Sequence, residues 1–174
     1  MNDAIQKVID RLTIDDVAHL NSTIKVDDRF LATPPDELGI RIQLRTQFDR
    51  WDMDELVGPD DEIVCRYRFA YDLGLRMLEI EHEEDAADGD SIIAVVEAKM
   101  YAQYVEHHDG DREDLDPDVL DEFGRTNALY HVWPYWREYV QSALSRLRLP
   151  PLTIPMFRLP EQNWRQTTGE REDE

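Results

Sequence analysis

Apolar positions along this chain begin at helical spacing, turn to strict alternation, and return to helical spacing near the end. Ile5, Val8, Ile9 and Leu12 recur every three or four residues, which predicts a short amphipathic helix over residues 2–12. From Val17 the period is two: Leu20, Ser22, Ile24 and Val26 alternate with Asn21, Thr23 and Lys25, the pattern of a strand. Ala32-Thr33-Pro34-Pro35 then breaks the ladder, because proline has no N–H to donate. A second strand is predicted over 39–51, with Ile40, Ile42, Leu44 and Phe48 on one side and Arg41, Gln43, Arg45 and Gln47 on the other. After a turn at Gly58-Pro59-Asp60-Asp61, a third strand sets Cys65, Tyr67, Phe69, Tyr71 and Leu73 against Arg66, Arg68 and Asp72. An acidic loop over 83–89 leads to a fourth strand over 92–105, with Val96, Ala98, Met100 and Tyr104 on one face.

No helical pattern separates these strands, and short connections favour antiparallel pairing. One face of the sheet is apolar and the other polar, so one side needs a cover. The cover follows a polar loop over 107–114. Asp116-Pro117 has the form of an N-cap with proline at the first helical position, opening a short helix that includes Val119, Leu120 and Phe123 and that Gly124 is expected to end. A longer helix comes next, with Thr126 a candidate cap and Pro134 either kinking it or starting its main part. Trp133, Trp136, Val140, Ala143, Leu144 and Leu147 make one apolar stripe, which Tyr135 and Tyr139 widen onto a second side. A helix apolar on two sides is either deeply buried in a monomer or packed both on its own sheet and against a symmetry mate; the second reading is favoured. It puts Tyr135, Trp136, Tyr139, Val140 and Ala143 at a subunit interface. Pro150-Pro151 precedes an apolar extension over 152–157. The fold class expected is therefore α+β: a four-stranded antiparallel sheet covered on one face by a long C-terminal helix, with a short N-terminal helix. Residues 1–160 are expected to form one domain and 161–174 an acidic, flexible tail.

Charge narrows the function. The chain of 174 residues has a net charge of −20, lysine only at Lys7, Lys25 and Lys99, and no segregated run of basic residues. Binding to a phosphate backbone is disfavoured. Salt adaptation or a GC-rich genome accounts for such acidity blandly; an acidic surface that docks a basic partner, or a nucleic-acid mimic, is the sharper reading. With Cys65 as the only cysteine, no intramolecular disulfide forms and a reducing, cytoplasmic setting is expected. No apolar run approaches the ~18 residues of a membrane span, so membrane insertion is not expected.

Catalytic patterns are missing. There is no Gly-rich phosphate loop, GxSxG or CxxC. His107-His108-Asp109-Gly110-Asp111 reads as a solvated loop rather than a metal site, and Asp88-Gly89-Asp90 as a turn rather than a calcium loop. His131 reads as a packed, hydrogen-bonded histidine and Cys65 as an inert core thiol. No enzyme activity, metal or cofactor is expected. Trp51, Met53, Tyr101, Tyr104 and Trp133 offer sequence-tolerant apolar contacts and are the candidate residues of a peptide-binding groove.

Trp133-Pro134-Tyr135-Trp136-Arg137-Glu138-Tyr139 resembles the Phe-Pro-Tyr-Ala-Arg-Glu segment that opens the main helix of SecB-type export chaperones. Leu149-Pro150-Pro151-Leu152-Thr153-Ile154 is similar to the Phe-Pro-x-Leu-x-Leu after that helix, and Ala94-Val95-Val96-Glu97 to the apolar run ending in Glu on the family's fourth strand. The resemblance implies a homotetramer, a dimer of dimers with long helices between sheets. It implies ATP-independent holding of unfolded polypeptides, either for export through the translocation ATPase or to protect the antitoxin of a toxin–antitoxin pair. It also implies that Val95 and Glu97 dock the ATPase, although Ser22-Thr23-Ile24-Lys25-Val26 lacks the acidic pair that the family's first strand supplies.

Overall fold

The computed structural model describes residues 3–30, 39–57, 62–80, 92–108, 113–147, 149 and 152–157. Helix α1 (Asp3–Arg11) leads into β1 (Thr13–Val26), which joins β2 (Ile40–Val57), β3 (Ile63–Glu79) and β4 (Ile92–His108) in one antiparallel sheet of order β1-β4-β3-β2. Helices α2 (Pro117–Phe123) and α3 (Leu129–Arg146) follow, linked by one π-helical turn at Gly124–Ala128. The expected architecture is present: four antiparallel strands, a long C-terminal helix and a short N-terminal one. Loops expected at 32–35, 58–61 and 83–89, the Pro150-Pro151 pair and the tail at 161–174 lie outside the described residues, as do residues 109–112 of the loop expected over 107–114, whose first two residues end β4.

The alternation of β3 orders the whole molecule. Cys65, Tyr67, Phe69, Tyr71, Leu73, Leu75 and Met77 form one buried row, flanked in register by Val96, Ala98, Met100, Ala102 and Tyr104 of β4. Helix α3 lies across this inner face, touching β4, β1 and β3. Val132, Trp136, Val140 and Leu144 of α3, spaced four apart, enter the same core.

Every strand outruns its expected bounds. β1 begins directly after Leu12, because register shifts at Ile14/Asp16 and His19/Asn21 absorb the residues that spoil its alternation. Leu20 falls at the second shift and is 55% exposed, so it leaves the apolar row that the alternation assigned to it. Val17 and His19 take its place, opposite Ala102 and Met100. In β2 a shift at Phe48/Arg50 keeps Trp51 and Met53 on the inner face, opposite Phe69 and Tyr67.

Asp116 caps α2 as its sequence suggests, accepting from the Asp118 N–H at 2.9 Å with Pro117 in the first turn. Gly124, however, does not end the helix. Its backbone is right-handed helical and the chain runs on through the π turn into α3. The glycine is required by contact instead: a Cβ there would lie 2.7 Å from the Phe48 ring. The Tyr71 hydroxyl donates to the Gly124 carbonyl at 2.6 Å, pinning the turn to the sheet. Thr126 likewise caps nothing; its hydroxyl donates back to the Glu122 carbonyl at 2.7 Å.

α1 packs on α2, burying Ile5 and Val8. Its last residue, Arg11, pairs with Glu106 at 2.5 Å, and Tyr67 donates to the other Glu106 oxygen at 3.2 Å. Glu106, 3% exposed, thus has both oxygens satisfied within the apolar row.

Candidate functional site

Three segments meet to form an apolar cleft of about 250 Å³: the start of β1 with Ile14, the first two turns of α3 with Tyr130, His131, Trp133, Pro134 and Tyr135, and the extension with Met156 and Phe157. The cleft depends on how α3 begins. Pro134 lies inside the helix, where it has no N–H for the helical ladder. Helical spacing puts Tyr130 beside Pro134 and His131 beside Tyr135, a flat aromatic flank.

Trp133 and Arg137 hold the extension. The Trp133 indole N–H donates to the Pro155 carbonyl at 2.7 Å, and Arg137 Nε donates to the Ile154 carbonyl at 2.8 Å. The Trp133 and Phe157 rings lie 5.7 Å apart, and buried Ile154 anchors the segment in the core. Behind the cleft wall, Tyr104 and His131 share a 2.6 Å hydrogen bond at Nδ1. Burial pushes the Tyr104 phenol up and the His131 imidazole down, so both are neutral near pH 7. Tyr104 then donates and Nδ1 accepts, leaving the ring proton on Nε2.

The rim is apolar and open to solvent. Tyr135 is 53% exposed and Met156 60%, and Ile14 and Tyr130 are exposed beside them. Four large apolar side chains are thus left in water around one concavity, which sets the cleft apart as the candidate site.

The residues singled out in sequence are divided by this geometry. Trp133 lines the cleft and Tyr104 backs it, though both are buried and present only edges. Trp51 and Met53 are half-buried on the inner face of β2, at the far edge of the sheet; Ile14, Tyr104, Tyr67 and Met53 form one row from edge to edge. Tyr101 points to the opposite, outer face and cannot join them. Alternation already separates Tyr101 from Tyr104 by parity, so their grouping is corrected. Ile14, Tyr130, Pro134, Met156 and Phe157 were not singled out as groove residues, and the proline-marked apolar extension was a signal for Met156 and Phe157 alone.

The helix stripe also needs correction. Trp136, Val140 and Ala143 are buried against the chain's own sheet and offer no surface to another subunit. The second side of α3 finds its cover within the chain: the Tyr139 ring meets His19 of β1 edge-on at 4.4 Å, and the extension covers Trp133. Trp136 is enclosed so fully that its indole N–H has no partner among the described residues. Of the five residues, only Tyr135 is largely free, and Tyr139 is half-buried. Val95 and Glu97 are half-buried on the outer face of β4, where Glu97 accepts from Arg45 at 3.4 Å.

Two curated proteins are similar in sequence. SecB-like chaperone Rv1957 of Mycobacterium tuberculosis (strain ATCC 25618 / H37Rv) and SecB-like chaperone MT2006 of strain CDC 1551 / Oshkosh are each 30% identical over 92 residues, which is 50% of this chain and 51% of either relative. The chain spans about half the length of the curated relatives it matches. Among solved structures, the M. tuberculosis Rv1957 SecB-like chaperone in complex with a ChAD peptide from the Rv1956 HigA1 antitoxin superposes with a TM-score of 0.67 at 22% identity, covering 92% of this chain and 100% of that one. No family model matches. The fold likeness runs over nearly the whole chain and the sequence likeness over half of it: the chain has the fold of the SecB-like chaperone structure and is similar in sequence to SecB-like chaperones.

Proposed function

We propose that the protein is an ATP-independent holdase that binds non-native polypeptide segments at the Ile14–Tyr130–Tyr135–Met156 cleft, with no enzymatic step and no cofactor. The observation that carries this reading is the solvent-exposed apolar rim around that cleft. Its volume lies below the ~300–1,000 Å³ of small-molecule sites, and its lining is apolar, which suits single side chains of an extended client better than a metabolite. Each such side chain removed from water contributes about 25 cal/mol per Å² of apolar area. β1 is an edge strand among the described residues; it runs beside the cleft and offers main-chain hydrogen bonds to an extended segment. Half-buried Trp51 and Met53, on the far edge, are proposed as a second contact region for long clients.

An antitoxin-type client is favoured within this proposal, because the similar solved structure was captured with an antitoxin peptide. Export through the translocation ATPase would need Val95 and Glu97 for docking together with an acidic pair on the first strand, which Ser22-Thr23-Ile24-Lys25-Val26 lacks. The carboxylates of the outer face alternate with Arg and Lys partners, which does not favour a nucleic-acid mimic. Assembly as a homotetramer and a cytoplasmic location complete the proposal. The first is read by light scattering on a sizing column, and the second agrees with a lone, buried thiol.

The test is suppression of light scattering by a chemically denatured client on dilution. The unaltered chain should suppress aggregation at a stoichiometric ratio, and Tyr135→Asp combined with Met156→Asp should reduce that several-fold while circular dichroism stays unchanged. Full suppression by the double variant would place the client elsewhere.

A further inference from the structure

The outer face of the sheet is not uniformly charged. Toward the His108 end of β4, Asp52 and Asp54 meet Arg68 and Arg66, Asp15 meets Gln103, and Asp16 lies in the same row. In the middle, Lys99 sits between Asp49 and Asp72. At the opposite end the balance reverses. Register aligns Lys25 of β1, Val95 of β4 and Arg76 of β3 in one row, and Thr23, Glu97, Gly74 and Arg45 in the next. Three cations therefore share two rows with one carboxylate, Glu97. Among the described residues neither Lys25 nor Arg76 has an ion-pair partner, and both are exposed. Asp27 and Glu79, the next acids along their strands, have contacts of their own.

The surface there is also concave. A depression of about 150 Å³ is lined by Gln43, Arg45, Gly74, Arg76 and Glu97. Gly74 makes its floor, and the Arg45 side chain lies across it: a Cβ at Gly74 would meet Arg45 Cβ and Nε at 3.5 Å. A planar guanidinium lies over the glycine, exposed Arg76 is two residues along the same strand, and exposed Lys25 is two strands further across the sheet, ~10 Å away; cations spread across the sheet in this way suit the successive carboxylates of an extended segment. Glu97 holds Arg45 at only 3.4 Å, a contact an incoming carboxylate can displace.

We infer that this end of the outer face, centred on Lys25, Arg45 and Arg76, is a docking patch for a carboxylate-rich peptide segment of a partner protein. The net charge of −20 slows the approach of such a segment but does not prevent docking. At physiological salt the screening length is ~8 Å, so the distant carboxylates are hidden and the local cations decide. The patch lies on the face opposite the apolar cleft, so the inference does not depend on the holdase reading.

Fluorescence anisotropy of the full chain with a labelled Glu-rich dodecapeptide tests it, alongside a Lys-rich peptide of equal length. The acidic peptide should bind at ~50 mM salt and be released by ~500 mM. Arg76→Glu and Lys25→Glu should each weaken it by about fivefold, and Glu97→Gln should tighten it. Both reversed residues are exposed, and an unchanged melting temperature will show that the fold is kept. An acidic peptide that does not bind, or that binds equally to both reversal variants, would overturn the inference. So would tighter binding of the basic peptide that Glu97→Gln abolishes.

Discussion

Strand β3 presents two different chemistries one residue apart. Its inward row, from Cys65 to Met77, is dry, aromatic and packed against α3; its outward row runs Val64, Arg66, Arg68, Ala70, Asp72, Gly74, Arg76. The inward row lies where water is excluded, so contact and volume dominate. The outward row faces solvent, with Arg66, Arg68 and Asp72 half-buried and Arg76 exposed, so each ion pair there is partly screened and contributes little to stability. The contrast teaches that the strand's fold-determining residues and its recognition residues occupy opposite parities and can change independently.

Substitutions can break this contrast. Phe69→Ala should have the largest effect, since Phe69 contacts the rings of Phe123 at 5.3 Å, Tyr104 at 5.6 Å and Phe48 at 6.5 Å; a loss of about 3–5 kcal/mol by urea unfolding is expected. Gly124→Ala comes next, at about 1–3 kcal/mol, because the new methyl must displace the Phe48 ring. A fall in melting temperature should accompany it, and no change would show that the glycine serves flexibility rather than fit.

Acid titration separates the faces more finely. His131 is held below its ordinary value of 6.5 by burial, so between that value and its folded one the unfolded chain binds more protons. Stability should be constant above about pH 6.5 and decline modestly as pH falls below it, and His131→Gln should flatten that decline in melting curves. On the outer face, the Arg66 hydrogen bond holds the Asp54 carboxyl below 3.8. Its contribution is intact above about pH 4 and lost only in stronger acid. Arg66→Ala should be the smallest change of the series, leaving the neutral-pH urea midpoint within error.

Much of this architecture was legible in the sequence because alternation reports burial directly. The rows of β3 and β4 match the structure residue for residue, and Asp116-Pro117 marked its helix start correctly. The failures have physical causes. Leu20 was misplaced because a bulge inverts parity and leaves no compositional trace. Gly124 read as a helix end because its real constraint, the Phe48 ring, lies 76 positions away in the chain. Trp136, Val140 and Ala143 were set at a subunit contact because the cover that β1 and the extension provide comes from segments remote in sequence. The cleft was only half visible: aromatic Trp133 announced itself, while Ile14 and Met156 become neighbours only through the β1–β4 pairing and the hold on the extension. Glu106, a carboxylate in an apolar row, became intelligible only once Arg11 was seen to reach it.

The extension 152–157 is fastened by side chains of α3 that grip its main chain, the carbonyls of Ile154 and Pro155. A grip on the backbone is indifferent to the side chains the gripped residues carry. Re-lettering the outer lip at Met156 therefore gives up its Sδ contact with Arg137 at 2.6 Å but leaves both main-chain bonds of the hinge in place. Lineages could retune which segments they capture by drift at one or two rim positions while the architecture stays still, and directed libraries confined to those positions are the economical way to change the clientele.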